Sequence, residues 1–93
     1  MKRKITIPTI TYSYKLVVND PSMKEQSFEQ EQVDIKDLQR FIGLMSYTQL
    51  NGRFELVMWC DNEKLFSTHY QVKDGKLEGV ELWIKKQRDI IVF

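Results

Sequence analysis

Cysteine and histidine are almost absent from this sequence of 93 residues, which contains one of each, Cys60 and His69. A single cysteine cannot form an internal disulfide, and zinc sites usually draw on several His or Cys ligands. The composition therefore excludes a disulfide scaffold and gives no sign of a metal centre. We expect no metal and no cofactor.

Long apolar runs and a strong charge of one sign are missing too. No run approaches the roughly 20 residues that span a bilayer, and residues 1–4 lead into an alternating segment instead of a signal-peptide core. A net charge of +1 gives no general attraction to nucleic acid or to anionic membranes. We expect a single globular domain over residues 1–93, located in the cytoplasm and without a membrane partner.

The first third of the chain alternates apolar and polar residues, which predicts a strand from about Thr9 to Val18. The phase of the alternation changes at Pro8, where we expect a break, and residues 19–22 are typical of a turn. The polar segment Met23–Gln32 has two interpretations, the return arm of a hairpin or a polar loop.

Helical spacing of apolar residues predicts one helix from Asp34 to about Tyr47. Asp34 is a good N-cap, and Asp37 lies in the first turn, where the helix dipole favours negative charge. Gly43 interrupts the helix, and we expect it to permit close packing against a sheet. The apolar stripe consists of Ile35, Leu38, Phe41, Ile42 and Met45.

Alternation from Arg53 onward predicts further strands, and turn residues suggest their register. A three-residue turn at residues 61–63 would pair Cys60 with Lys64 and keep one face apolar. That register gives the pairs Met58–Phe66, Leu56–Thr68, Phe54–Tyr70 and Glu55–His69.

A second hairpin is predicted around Asp74 and Gly75, where a two-residue loop would pair Lys73 with Lys76 and a three-residue loop would pair Val72 with Lys76. The hydrophobic pattern selects the three-residue loop. This register would continue as a strand through residues 80–84, with Val80, Leu82 and Ile84 on the apolar face. A final turn at Gln87 and Arg88 would add a strand that contains Val92. The fold class is thus α+β: a mainly antiparallel sheet of about four to six strands packed on one helix, in the order β-(β)-α-β-β-β-(β).

The predicted registers place Trp59, Leu65 and Trp83 in one row on the other sheet face, with Val57 nearby. An uncovered row of this kind should bind a partner, because tryptophan contributes strongly to interface energy. The alternative is that another part of the chain covers the row as a second small core. We expect a non-enzymatic protein-interaction module that binds another protein or a second copy of itself through this face. One such class is an inhibitor or regulator, for example a phage or mobile-element protein that blocks a host system.

Single-stranded nucleic acid is the competing ligand class, since aromatic rings stack on bases and nearby cations neutralise phosphates. Against it stand the small net charge and the carboxylates of Glu55 and Glu81 on the same predicted face. The residues that would bind nucleic acid are Trp59, Trp83, Lys64, Lys85, Lys86 and Arg88.

Catalytic residues are not indicated. Cys60 and His69 would lie roughly 17 Å apart at the usual strand rise and on opposite faces, so we interpret Cys60 as a small buried hydrophobe. His69 opposite Glu55, with Glu78 and Glu81 on the next strand, is interpreted as a surface ion pair and not as an acid/base pair. We therefore expect no enzymatic activity.

Overall fold

Four strands and two helices make up the part of the chain that the computed structural model describes, residues 9–19 and 26–91. The strands form one antiparallel sheet in the order β2-β1-β3-β4, so the predicted α+β class is confirmed. In chain order the elements are β1 (Ile10–Val18), β2 (Gln26–Val33), α1 (Ile35–Thr48), β3 (Gly52–Cys60), β4 (Glu63–Val72) and α2 (Val80–Ile91).

The strand predicted near Thr9–Val18 is confirmed as β1, which lies inside the sheet between β2 and β3. The polar segment before α1 pairs with β1 from Gln26 to Val33, as the hairpin interpretation requires. Ser13 faces a bulge there, because β2 has an extra residue between the pairs Tyr12–Val33 and Tyr14–Gln30. The predicted break at Pro8, residues 20–22 of the predicted turn, residues 23–25 of the polar segment and Val92 lie outside the described residues.

The predicted helix is confirmed as α1 (Ile35–Thr48), and the Asp34 carboxylate accepts a hydrogen bond from the Asp37 N–H at 2.9 Å. Its apolar stripe packs on the sheet, where the Phe41 ring stacks on Tyr14 at 4.4 Å between centroids. The expectation for Gly43 is wrong. This residue is exposed, and a Cβ built on it would have no neighbour within 4 Å.

The β3–β4 register is confirmed from Phe54–Tyr70 to Met58–Phe66, but the predicted turn is wrong by one residue. Cys60 pairs with Glu63, so the turn contains two residues, Asp61 and Asn62, with φ of 49° and 68°. Positive φ at both positions matches a type I′ turn, whose twist suits a hairpin. The register shifts by one residue between Met58 and Trp59, which makes Leu65 the extra residue of a bulge in β4.

The predicted register of the second hairpin is wrong, and so are the strand through residues 80–84 and the turn at Gln87 and Arg88, which lie in a helix. Lys73 pairs with Lys76 as an isolated bridge, and the chain then forms α2 in place of a strand through residues 80–84. Alternation and helical spacing overlap here, because Val80 and Ile84 are four residues apart and fit both patterns. Leu82 decides between them, since a strand would bury it whereas on α2 it is 70% exposed.

Both helices pack on one face of the sheet and leave the other face open. Burial alternates along β1 and β3, the two inner strands, so that every second side chain enters the core. The apolar core therefore lies between the sheet and the helical layer. Its buried members are Tyr12, Tyr14, Leu16, Val18, Leu38, Met45, Phe54, Leu56, Met58, Val72, Val80 and Ile84.

Candidate binding surfaces

The predicted aromatic row is not assembled. Trp59 and Val57 lie on the open face of β3, and Leu65 lies in the β4 bulge, where it is 40% exposed. Trp83 lies on α2 in the opposite layer, where it packs half-buried against the core. Val57, Trp59 and Leu65 therefore lie near one another on β3 and β4. Trp83 does not belong to the row, because the segment predicted to carry it as a strand is a helix.

Trp59 is held against the sheet by a hydrogen bond. Its indole Nε1–H donates to the Ser13 Oγ at 2.8 Å, and the same oxygen accepts the backbone N–H of Gln32 at 3.0 Å. Gln32 has φ of 47° and belongs to the β2 bulge. The indole is half-buried and its polar end is satisfied, so Trp59 links three strands and is not a free stacking platform.

The residues predicted for nucleic-acid binding are divided between the two layers. Trp59 and Lys64 are cross-strand partners on the sheet, whereas the others lie on α2. Neither tryptophan presents a free ring beside the cations of α2, since Trp59 is bonded to Ser13 and Trp83 packs on the core. The six residues form no common site.

His69 and Glu55 are cross-strand partners, as the sequence predicts. The predicted ion pair between them is wrong, because the ion pair that Glu55 makes is with the guanidinium of Arg53, at 3.8 Å. Glu81, predicted on the neighbouring strand, is on α2, and Glu78 precedes that helix. The predicted four-residue cluster therefore does not form, and in residues 9–19 and 26–91 no group of three or more His, Cys, Asp and Glu is placed to hold a metal ion.

Cys60 lies at the end of β3 and is half-buried, so it is more exposed than the interpretation as a small buried hydrophobe implies. Partial burial raises the pKa of the thiol, and the carboxylates of Asp61 and Glu63 raise that pKa further. The thiolate is the reactive form, so this environment opposes nucleophilic chemistry. His69 faces Glu55, five residues back along β3 from Cys60, which is consistent with the predicted separation of the two side chains.

The open face of the sheet is polar and shallow. A depression of about 430 Å³ crosses it, lined by residues of all four strands. One cross-strand row alternates in charge from Glu29 through Lys15 to Glu55, and His69 continues the row on β4. Opposite charges on neighbouring strands stabilise such a face in water. The row is therefore typical of a solvent-exposed sheet surface and does not by itself indicate a binding site.

A larger groove of about 570 Å³ lies between the two helices. Its walls come from residues 35–42 of α1 and residues 81–89 of α2. The lining residues are Ile35, Gln39, Ile42, Glu81, Ile84, Lys85, Arg88 and Asp89.

Sequence reasoning missed this groove because it assigned residues 80–84 to a strand. The signal was present in the helical spacing of Val80, Ile84 and Ile91, which all face the core. Glu81 near the start and Arg88 near the end of the same segment also match the helix dipole.

Exposed apolar side chains are concentrated on the helical side of the described residues. Phe28 belongs to this side, since its ring lies 6.5 Å from Phe41 of α1. Leu65 is the one large exposed hydrophobe that lies elsewhere among the described residues, in the β4 bulge. The others on the helical side are Leu44 and Tyr47 of α1 and Leu82 and Ile90 of α2.

The described helices are too short and too polar to cross a membrane. Comparisons with protein-family models, with curated proteins and with solved structures find no match to this chain.

Proposed function

We propose that this chain is a non-enzymatic protein-interaction module that binds a partner protein across its helical layer, with the groove between α1 and α2 at the centre. The observation that carries this proposal is the distribution of exposed apolar side chains, most of which lie on the helical layer. Exposed apolar groups gathered on one side of a small domain are typical of an interaction surface. The sheet then acts as the scaffold that fixes the two helices.

The chemistry of the groove favours an amphipathic segment as its occupant. Ile35, Ile42 and Ile84 supply apolar surface, and the α2 wall carries two acidic and two basic residues. A helix with an apolar stripe flanked by charges of both signs matches this arrangement, as in other helix-in-groove complexes. The mixed charge also means that binding should depend on salt only weakly, in contrast to the steep salt dependence of nucleic-acid binding.

Photo-crosslinking distinguishes the groove from the open face of the sheet. A photoreactive amino acid in place of Gln39 probes the groove, and the same substitution at Lys15 is the matched control on the open face. Both positions are exposed, so both variants should fold. We expect a protease-sensitive adduct in cells from position 39 and none from position 15.

The double variant Lys85→Glu and Arg88→Glu tests the same surface by charge reversal. Since both side chains line the groove, we expect the adduct from position 39 to weaken. An adduct from position 15 alone would contradict the proposal and return the binding site to the sheet face. A nuclease-sensitive adduct would contradict it in favour of nucleic acid. An inhibitory or regulatory effect of the binding stays a prediction.

A further inference from the structure

The outer edge of β4 pairs with no other described strand, because β4 is the last strand in the order β2-β1-β3-β4. The strand has ten residues. At about 3.3 Å per residue its edge is roughly 33 Å long. A row of unpaired N–H and C=O groups of this length is a template for another strand.

The two edges of the sheet differ in how they are protected. β2 carries Glu29 and Glu31 and is bent by the bulge at Gln32, which are devices that prevent edge pairing. β4 has its charged residues, Glu63 and Lys64, only at its start. Residues 65–72 include no Asp, Glu, Lys, Arg or Pro. Pairing with a further strand is therefore blocked at one edge and permitted along most of the other.

Two aromatic side chains of β4 are incompletely covered on the helical side of the sheet. Phe66 and Tyr70 are half-buried, whereas their cross-strand partners Met58 and Phe54 are fully buried. The difference arises because β4 has a neighbour on one side only. A strand added outside β4 would cover both rings and complete their burial.

A second copy of the chain is complementary to this edge. Two identical antiparallel strands are related by a two-fold axis. Side chains that face each other across the pair lie on the same side of the sheet, so one residue must face its own counterpart, and the axis passes midway between the two copies of that residue. With Thr68 on the axis, Phe66 faces Tyr70 of the second copy. This aromatic pair occurs twice across the interface.

Neighbouring registers lack this match. An axis at His69 would bring two imidazoles face to face and set Phe66 against Val72. An axis at Ser67 would set Phe66 against Thr68 and would leave only residues 66–68 paired before the bulge at Leu65 is reached. The aromatic cross-strand pair favours the Thr68 register over both.

We propose that two copies of this chain pair through β4, antiparallel about Thr68, to form a homodimer with one continuous sheet. Because the axis is perpendicular to the sheet, the helical layers of both copies lie on the same side. Each copy keeps its own groove between α1 and α2, so this interface is separate from the partner-binding surface proposed above.

Light scattering tests the dimer, whose mass should be twice the 11.2 kDa of one chain. The variant Ser67→Lys, His69→Lys places like charges opposite one another in the proposed register, and we expect its dissociation constant to rise about tenfold or more. The matched control on the other edge is Ser27→Lys, Gln30→Lys, at exposed positions of β2, and should leave the mass unchanged. A monomeric native chain, or a dimer disrupted by the β2 control and not by the β4 variant, would overturn the proposal.

Disulfide trapping tests the register in a Cys60→Ser background. Ser67 of one copy faces His69 of the other, so oxidation of mixed Ser67→Cys and His69→Cys variants should give a mixed disulfide. Each variant alone should crosslink far less, because its two cysteines would be diagonal neighbours at about 7–8 Å. Preferential crosslinking of either variant with itself would overturn the Thr68 register.

Discussion

Trp59 and Ser13 are joined across the β1–β3 ladder by a hydrogen bond of 2.8 Å from the indole Nε1–H to the hydroxyl oxygen. The same oxygen accepts the N–H of Gln32 at 3.0 Å, at the point where the β2 bulge interrupts the ladder. One small side chain thus satisfies donors from both neighbouring strands. This arrangement explains why the large ring of Trp59 lies against the sheet.

Substitution Ser13→Ala should lower the free energy of unfolding by about 0.5–1.5 kcal/mol, because it removes the acceptor of the partly buried Trp59 indole N–H and of the exposed Gln32 N–H. The freed indole should also become more accessible to acrylamide. Fluorescence quenching in a Trp83→Phe background reports Trp59 alone. Ser67→Ala, at an exposed position of the same face, is the control and should change neither quantity. Equal quenching of Trp59 with and without the Ser13 hydroxyl would refute this role.

Two glycines should respond oppositely to replacement by alanine. Gly43→Ala should stabilise the chain by up to about 1 kcal/mol, because the position is helical and exposed and its Cβ has open space. Gly75→Ala should destabilise it by more than about 1 kcal/mol, since Gly75 has φ of 75° and its Cβ would meet the carbonyl oxygen of Met45. Urea midpoints measure both effects. Destabilisation by Gly43→Ala would mean that the helix packs closely there after all.

Alkylation of Cys60 should show a pH midpoint above that of an ordinary thiol. Partial burial raises the pKa of this thiol, and the neighbouring carboxylates add to the effect. The variant Asp61→Asn, Glu63→Gln should lower the pKa and so speed alkylation at a fixed, mildly alkaline pH. Glu81→Gln on α2 is the control and should leave the rate as it is. An unchanged rate in the double variant would show that burial alone sets the pKa.

Alkaline pH should destabilise the fold through its buried tyrosines. Burial raises the pKa of Tyr12, with partial opposition from the Arg88 charge, and burial together with Asp37 raises the pKa of Tyr14. A phenol ionises near pH 10 in the unfolded chain, so its contribution to stability is complete below about pH 10 and is lost as the pH rises above it.

Urea unfolding at about pH 8 and about pH 11 checks this dependence on either side of the phenol pKa. Tyr12→Phe should reduce the loss of stability between the two conditions. Tyr47→Phe, at a side chain that is 87% exposed, should leave that loss unchanged. Equal losses in both variants would assign the alkaline effect to other groups.

Local chemistry made much of the fold predictable. Asp34 and the stripe behind it define α1, and the alternation of β1, β3 and β4 defines three strands. The β3–β4 register followed from the requirement that Phe54, Leu56 and Met58 share one face, and it held despite a wrong turn length. The turn is one residue shorter than predicted, and the extra residue of the bulge, Leu65, compensates for this difference and restores the predicted pairing.

The errors arose where one pattern fits two periods. In residues 80–84 the spacing suits a strand, but over residues 80–91 the buried positions follow a helical turn. Local pairing signals at Gly75 could not reveal that the next segment leaves the sheet. The consequence for the candidate site was large, because Trp83 moved to the opposite layer and the helical groove went unpredicted.

The antiparallel ladder between β1 and β3 joins two halves of the chain, β1-β2-α1 and β3-β4-α2, which have the same order of elements. The groove lies where the two helices meet, so its walls come from both halves. An occupant therefore contacts both halves at once and favours only the state in which they are docked. By thermodynamic linkage, a bound partner should raise the melting temperature of the whole domain. Once the partner concentration exceeds the dissociation constant, the rise should grow with the logarithm of that concentration.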